Sequence, residues 1–350
     1  MVEHGGYEFT AAADYFPSQL ESFSKGFKVP GNRLYSGLAG YEKLLQDPNV
    51  DAVAIFTPPY FHPEHARAAV EAGKHVYVAK PVAVDVPGCR TIEETGALAT
   101  KNGLSFLVDF QTRADKHYRE GVRRVHDGAI GALSFGEASY HTSDVFVETW
   151  QCLLKDPRNP ENRLRAWGVD RILSGGSLTE QNVHTIDVAS WILDMPPVAA
   201  AGNCNRNVRR LGDSSDHYSV IFKYPGEVDV SLTSRQFKGH GTKPEGIRNR
   251  MFGAEGVLEC HYGGMVVVRA RDFYKGSSPG LYRDGAVANV ATFHRMIAGG
   301  DASSATVAPS VRSNLVTILG RTAAYTGKVA TWEEVLKSEE KWVTDLDLKA

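Results

Sequence analysis

The first pattern along the chain is an alternation of apolar runs with stretches that favour helix. Residues 51–56 and 75–78 are apolar runs of strand length, and residues 64–72 between them are rich in helix formers and end just before Gly73. This order predicts a parallel βαβ unit. Ligands of open parallel sheets bind beyond the carboxyl ends of the strands. The residues at those positions are Thr57, Pro58, Lys80 and Pro81.

The same alternation continues to about residue 112 and then gives way to a β-rich pattern. It predicts further elements at residues 7–14, 17–25, 41–46, 86–102, 104–109 and 116–127. Later strands are predicted at 134–141, 217–224, 227–236 and 257–268, and late helices at 289–298 and 310–326. We therefore predict an α/β domain with a parallel sheet over 1–112. An α+β domain with a large, mostly antiparallel sheet is predicted over 113–350, and its late helices are expected to pack back.

Composition narrows the class of protein. The chain has 350 residues, enough for two domains, and its 39 basic and 41 acidic residues are evenly spread, which argues against nucleic acid or an anionic membrane as partner. Four cysteines without a CxxC pair argue against a zinc cluster or a disulfide scaffold. Because neither a membrane-length apolar run nor a signal-peptide pattern occurs, we expect a soluble, cytoplasmic protein.

Lys80 is the first candidate for chemistry. It follows an apolar strand and precedes Pro81, so the backbone is restrained and the ammonium is expected to project from the sheet edge into a cleft. A lysine there can donate a hydrogen bond or a proton to an oxygen. The alternative is a surface lysine that caps a helix or pairs with an acid.

A second candidate lies in residues 174–193, SGGSLTEQNVHTIDVASWIL. Glu180, His184 and Asp187 fall at i, i+4 and i+7, which predicts one shared helix face. An acid one turn from an imidazole makes a plausible general-base dyad. Asp187 either orients the ring from the other side or holds the helix to a neighbour. An ordinary stabilising pair and a metal site are the alternatives.

A third set combines aromatic rings with hydrogen-bonding cations. Such a combination suits a sugar-like ligand, although aromatic packing in a domain interface would look the same. The residues are Arg113, Tyr140, His141, Trp150, Arg165 and Trp167.

Three segments together resemble the Gfo/Idh/MocA family of nicotinamide-dependent sugar and inositol oxidoreductases. They are DAVAIFTPPYFHPEHARAAVEAGKHVYVAKPVAV, FQTRADKHYREGVRRVHDGAIGAL and SGGSLTEQNVHTIDVASWILDMPPV, and the resemblance covers residues 7–336. It implies a Rossmann-type domain and a site in which Lys80 assists proton movement beside Glu180 and His184. This sequence departs from the family pattern in two places: the family's usual dyad acid is aspartate, and its Glu-Lys-Pro is here Ala79-Lys80-Pro81.

The residue patterns and the resemblance together predict which residues contact cofactor and substrate. We expect cofactor contacts from Asp14, Thr57, Pro58, His62, Lys80, Pro81 and Gln111. Substrate contacts are expected from Arg113, Tyr140, Trp150, Arg165, Trp167 and Asp187, with no metal.

The beginning of the chain departs most from that family. The family opens with a strand, a Gly-x-Gly-x-x-Gly turn and a helix that holds the dinucleotide pyrophosphate. Here MVEHGGYEFTAAAD resembles the end of that helix followed by the second strand, and His4-Gly5-Gly6 precedes a strand rather than following one. We therefore expect a Rossmann-type sheet that is incomplete at the N-terminus, from a truncated record rather than a natural fragment.

Asp14 ends the strand at which an acid binds the adenosine ribose. The following Tyr15 and Phe16 supply no cation for a 2′-phosphate, which favours NAD over NADP. Alternatively, Asp14 caps the next helix.

These features predict hydride transfer between NAD and a ring carbinol of a sugar, glycoside or cyclitol. The alternatives are an NAD-dependent glycosidase that works by transient oxidation and elimination, and a non-catalytic family member. The open sheet face, with alternating residues at 228–233, predicts a homodimer or homotetramer.

Overall fold

A computed structural model describes residues 1–145, 147–240 and 246–348. A parallel α/β half is followed by a half built on a large, mostly antiparallel sheet, which confirms the predicted fold class. No helix in the described ranges combines the length and apolar character needed to cross a bilayer.

The first part of the chain, the α/β half, alternates short strands with helices. Most boundaries lie within two residues of those predicted. The elements are β1 (Ala12–Asp14), α1 (Pro17–Phe27), β2 (Leu34–Ser36), α2 (Gly40–Leu45), β3 (Ala52–Ile55), α3 (His62–Glu71), β4 (His75–Ala79), α4 (Val86–Lys101), β5 (Phe106–Asp109), α5 (Gln111–Ala114) and α6 (Lys116–His126).

The strands of the α/β half form two separate sheets. β1 pairs in parallel with β2, whereas β3, β4 and β5 form a three-stranded parallel sheet. Within the described residues, no strand pairs with both of these sheets. The carboxyl ends of β4 and β5 carry Lys80 and Asp109 side by side.

The strand predicted at 7–14 is shorter than expected. Residues before Ala12 are drawn onto a later helix, because the Tyr7 hydroxyl donates to the Val290 carbonyl at 2.8 Å. Tyr7 also packs against the buried rings of Tyr77 and Phe293. These contacts of Tyr7 hold residues before Ala12 away from the sheet, so the strand starts later than predicted.

The rest of the chain, the β-rich half, contains nine of the strands. Its elements are β6 (Leu133–Thr142), α7 (Val147–Trp150), α8 (Pro160–Arg165), α9 (Arg171–Ser174), α10 (Ser177–Glu180), α11 (Val183–Leu193), β7 (Ala199–Asn205), β8 (His217–Tyr224), β9 (Val228–Gln236), β10 (Ile247–Gly253), β11 (Gly256–His261), β12 (Met265–Arg269), β13 (Tyr274–Ser277), α12 (Leu281–Gly299), α13 (Val307–Thr326), β14 (Ala330–Thr331) and α14 (Trp332–Leu336).

The nine strands form one sheet in the order β13-β12-β11-β10-β6-β9-β8-β7-β14. Only the β6–β9 pair is parallel. Val228, Val230 and Leu232 point to the core, and the residues between them are exposed. The strand predicted at 257–268 is two strands, because Gly263 adopts a φ of 71° and the chain turns there.

Helix α13 joins the two halves. It packs against α4 on one side and against α10, α11 and β7 on the other. The Asn314 side chain accepts the Val82 N–H at 3.1 Å and donates to the Ala83 carbonyl at 3.0 Å. These bonds satisfy buried backbone groups in the loop after Lys80, so α13 fixes that loop in position.

Candidate active site

Lys80 extends from the end of β4 to the β-rich half. Its Nζ atom donates to the Glu180 backbone carbonyl at 2.6 Å and to Glu180 Oε1 at 3.0 Å. The Lys80 side chain is 15% exposed and that of Glu180 is 5% exposed. The ammonium is therefore held by one residue while part of its surface stays open.

Two glycines place Glu180 at this position. Gly175 and Gly176 both have positive φ angles, 80° and 79°, and they turn the chain into α10. A Cβ atom on Gly176 would lie 2.7 Å from the Tyr325 hydroxyl, so only glycine fits. The Gly175 carbonyl accepts a bond from buried Arg321 at 2.8 Å.

The predicted shared helix face for Glu180 and His184 is wrong. Helix α10 ends at Glu180 and α11 starts at Val183, so the two side chains lie on different helices. The Glu180 carboxylate pairs with Lys80, and no hydrogen bond within the described ranges joins it to His184. Gln181, in the break between the helices, is hydrogen-bonded to Gln236 of β9, a contact that helical periodicity cannot reveal.

His184 lies in an aromatic environment and is 6% exposed. Its ring centroid is 5.4 Å from that of Tyr262, 6.3 Å from that of Phe110 and 6.5 Å from that of Tyr140. Burial, followed by the positive charge of Lys80, lowers the pKa of His184 well below its ordinary value. The imidazole is therefore neutral at pH 7, and its buried Nδ1 atom has no partner in the parts of the chain that the structure describes.

Asp187 and Arg113 form a buried ion pair with each other. Arg113 Nε lies 3.0 Å from both Asp187 carboxylate oxygens, and Arg113 Nη2 lies 2.9 Å from Asp187 Oδ1. The Asp187 side chain is 0% exposed, and Ser313 donates to it at 2.7 Å. With its carboxylate fully enclosed, Asp187 has no surface for the substrate role that the sequence suggested. The alternative role, holding the helix to a neighbour, matches this geometry.

His62 braces the loops after β3 and β4. Its Nδ1 lies 2.8 Å from the Pro81 carbonyl and its Nε2 lies 2.7 Å from the Thr57 carbonyl. Two carbonyl acceptors require two N–H donors, which only the imidazolium has. Burial nevertheless lowers the pKa of His62 to about 4, so at neutral pH the ring donates to one carbonyl only. At 1% exposure, His62 holds the loops from inside, whereas Thr57 and Pro58 are only half-buried.

Sequence reasoning missed three polar residues beside Gln111. Tyr262 donates to Gln111 Oε1 at 3.4 Å, and Gln111 Nε2 donates to Asp109 Oδ2 at 3.4 Å. Asn289 donates to Asp109 Oδ1 at 2.7 Å, and burial raises the pKa of that carboxyl group. Asp109 could have been found, because it ends a predicted strand at the same sheet edge as Lys80. Tyr262 and Asn289 lie far away in sequence and carry no local signal.

The predicted aromatic set does not assemble at one place. Tyr140 lies beside His184, whereas His141 bonds to Thr233 on the sheet at 3.1 Å. Trp150 donates to the Val145 carbonyl at 2.7 Å and packs in a small cluster with Leu153, Ala166 and Val169. Trp167 is half-buried in the 3-10 helix Trp167–Val169. Arg165 lies over the Phe16 ring, with 4.0 Å between its Cζ atom and the ring centroid.

The described residues fit the two ends of a dinucleotide. The Asp14 carboxylate lies half-buried at the carboxyl end of β1, where Oδ1 accepts the Phe16 N–H at 2.7 Å. At the other end, Lys80 and the unpartnered Nδ1 of His184 offer polar atoms to a reacting group. No Gly-x-Gly-x-x-Gly turn occurs between these ends in the described ranges.

Two family models match the chain. Residues 1–110 match the model described as "Oxidoreductase family, NAD-binding Rossmann fold", and residues 118–259 match the model of the GFO/IDH/MocA C-terminal domain.

Named relatives are similar over part of their length. An uncharacterized oxidoreductase of Bacillus subtilis, YrbE, is 28% identical over 56% of this chain and 52% of its own. Inositol 2-dehydrogenase 3 of Saccharopolyspora erythraea is 29% identical over 65% of this chain and 59% of its own. The chain thus spans about half the length of the curated relatives it matches. The structure of a levoglucosan dehydrogenase, in complex with NADH and levoglucosan, superposes with a TM-score of 0.72 at 18% identity, covering 92% of this chain and 89% of that one.

Proposed function

Because the chain belongs to the GFO/IDH/MocA oxidoreductase family, we propose that it transfers a hydride between NAD and a ring carbinol of a sugar or cyclitol. Relatives named as inositol and levoglucosan dehydrogenases support this substrate class. Bound NAD would supply the carbon that accepts the hydride.

The observation that carries the proposal is the partial pairing of Lys80. An ammonium has three N–H donors, and Glu180 takes two of them. The third is available to a substrate oxygen. A fixed cation at that oxygen stabilises the negative charge that develops as the hydroxyl proton leaves.

His184 is the proposed proton acceptor. A neutral imidazole has one nitrogen able to take a proton, and burial beside Lys80 keeps this ring neutral. The surrounding rings of Phe110, Tyr140 and Tyr262 exclude water and offer apolar faces to the C–H groups of a ring substrate. Lys80 and His184 thus divide the work: the lysine holds the oxygen and the histidine takes the proton.

The test is to incubate the protein with NAD and a panel of cyclitols, pyranosides and anhydrosugars while following the absorbance of reduced nicotinamide. Turnover that is lost in Lys80→Met and in His184→Ala supports the proposal. NAD binding without turnover of any substrate contradicts it. Release of an aglycone without net reduction of NAD would instead indicate elimination.

We also propose that the protein associates through the outer face of the nine-stranded sheet. That face exposes Phe135 on β6 and Ile221 on β8, on neighbouring residue rows. Light scattering should give a multiple of the 38.2 kDa chain mass for the wild type, and a lower mass after Phe135→Lys with Ile221→Lys. A monomer mass for the wild type would contradict this proposal.

A further inference from the structure

A segment of the β-rich half docks on the carboxyl end of β1. This segment comprises residues 147–170 and contains α7 and α8. Tyr15, next to Asp14, donates from its hydroxyl to Glu161 Oε1 at 3.3 Å. At the other end of α8, the Arg165 guanidinium covers Phe16, with Cζ 4.0 Å from the ring centroid. Two contacts therefore bring α8 to the position where a parallel sheet receives the adenosine part of a dinucleotide.

The charge of Arg165 is not neutralised by a direct partner. Arg163, two positions earlier, pairs with both Asp170 and Asp345. Arg165 makes no ion pair or side-chain hydrogen bond within the part of the chain that the structure describes, and it is half-buried. Asn159 caps α8 by accepting the Asn162 N–H at 2.9 Å, which fixes the direction of the helix. The guanidinium is thus held in place by stacking while its donors stay available.

Asp14 lies within electrostatic reach of this guanidinium. Burial raises the pKa of Asp14, while the Phe16 N–H and the charge of Arg165 oppose that rise. Among the ion pairs of the described residues, none within 4.0 Å joins these two groups. The end of β1 therefore presents a carboxylate for ribose hydroxyls and, within electrostatic reach of it, a separate cation that stacks on Phe16.

We propose that Arg165 binds the 2′-phosphate of NADP, so that the protein accepts NADP as well as NAD and a residue of the β-rich half governs the choice. The inference rests on the proposed function. A planar guanidinium suits a phosphate because its N–H groups can donate in parallel to two oxygens. Tyr15 and Phe16 lack a cation, but the fold supplies one from 149 residues further along the chain. Arg165 accordingly has a cofactor role rather than the substrate role that its sequence position suggested.

Calorimetry on the full chain with two small probes tests this directly. Adenosine 5′-phosphate and adenosine 2′,5′-bisphosphate differ only in the 2′-phosphate. In Arg165→Gln, we expect affinity for the bisphosphate to fall by about tenfold or more, since a charge-assisted bond is lost, and affinity for the monophosphate to change by less than about threefold. Arg165→Lys keeps the positive charge but lacks the parallel N–H donors of a guanidinium, so it should recover part of the lost affinity for the bisphosphate. Arg158→Gln, an exposed arginine of the same segment, is the matched control and should change neither affinity.

The outcomes separate this inference from the proposed function. Equal losses for both probes in Arg165→Gln, or no loss for either, would overturn the 2′-phosphate role while leaving NAD chemistry intact. If the wild type bound neither probe, the nucleotide site itself would fail, and the proposed function and this inference would be rejected together.

Discussion

Two buried ion pairs connect the α/β half with the segment around α10 and α11, and they differ in completeness. In the Arg113–Asp187 pair, both carboxylate oxygens are bound by the guanidinium, Ser313 adds a third donor, and Arg113 also lies over Trp191 at 5.2 Å. In the Lys80–Glu180 pair, one N–H of the ammonium has no protein acceptor among the bonds described. An ion pair whose donors and acceptors are all bonded within the protein stabilises the fold. A pair that leaves one N–H unbonded can donate that N–H to a ligand.

Lys80→Met should produce the largest effect. It removes the proposed donor to the substrate oxygen, and kcat/KM should fall by about 10²- to 10⁴-fold. Steady-state kinetics measures this, with circular dichroism to verify the fold. Lys74→Met is the matched control, because Lys74 precedes the same strand at its opposite end, where its ammonium donates to the Asp47 carbonyl. If the activity of Lys80→Met stayed within twofold of wild type, the unpaired N–H of Lys80 would have no role in the reaction.

Asp187→Asn should affect stability rather than chemistry. Removing one member of a buried ion pair leaves the other charge unpaired and costs about 3–5 kcal/mol. Urea unfolding should show this loss, while kcat/KM per folded molecule stays near the wild-type value. A large loss of kcat with unchanged stability would restore the substrate role to Asp187.

His62→Gln tests how a buried imidazole that is neutral in the folded state makes the stability of the protein depend on pH. With the folded-state pKa lowered to about 4, the unfolded chain binds the extra proton first as pH falls below about 6.5. Wild-type stability is therefore full above that pH and is lost on acidification, by roughly 1.4 kcal/mol per pH unit for this group. The variant should lose about 2–3 kcal/mol less between pH 7 and pH 4.5. Unfolding curves at both pH values measure this, and a steeper acid loss in the variant would show that His62 is charged in the folded state.

Ser313→Ala should give the smallest effect and sharpen the comparison further. The hydroxyl is one of three donor groups on Asp187, the other two belonging to Arg113, so its loss should cost about 1–2 kcal/mol with no kinetic consequence. The same unfolding assay measures it. A change in KM would mean that Asp187 is linked to the cleft after all.

The sequence predicted those features that depend on local patterns. The strand before Lys80 is an apolar run that is visible in the sequence. Since ligands of parallel sheets bind beyond the carboxyl ends of the strands, the position of the ammonium could be predicted without knowing that Glu180 is its partner. The pairing of Glu180 was missed because TEQN has no helix-breaking glycine or proline, and the break at Gln181 depends on Gln236, which is 55 residues away. Similarly, the strand predicted from residue 7 failed because Tyr7 bonds to Val290, 283 residues later. Contacts between residues so far apart form only in the assembled fold, and they do not show in the hydrophobic periodicity of the sequence.

The position of α13 has a consequence for synthesis of the protein. A ribosome produces the Lys80 loop more than 200 residues before Asn314, whose amide satisfies its backbone, and Asp187 long before Ser313. The cleft therefore cannot assume its final shape while the chain is still being translated. A nonsense mutation just ahead of Val307 would yield a polypeptide that contains Lys80, Glu180 and His184 but lacks the helix that brings their supports together.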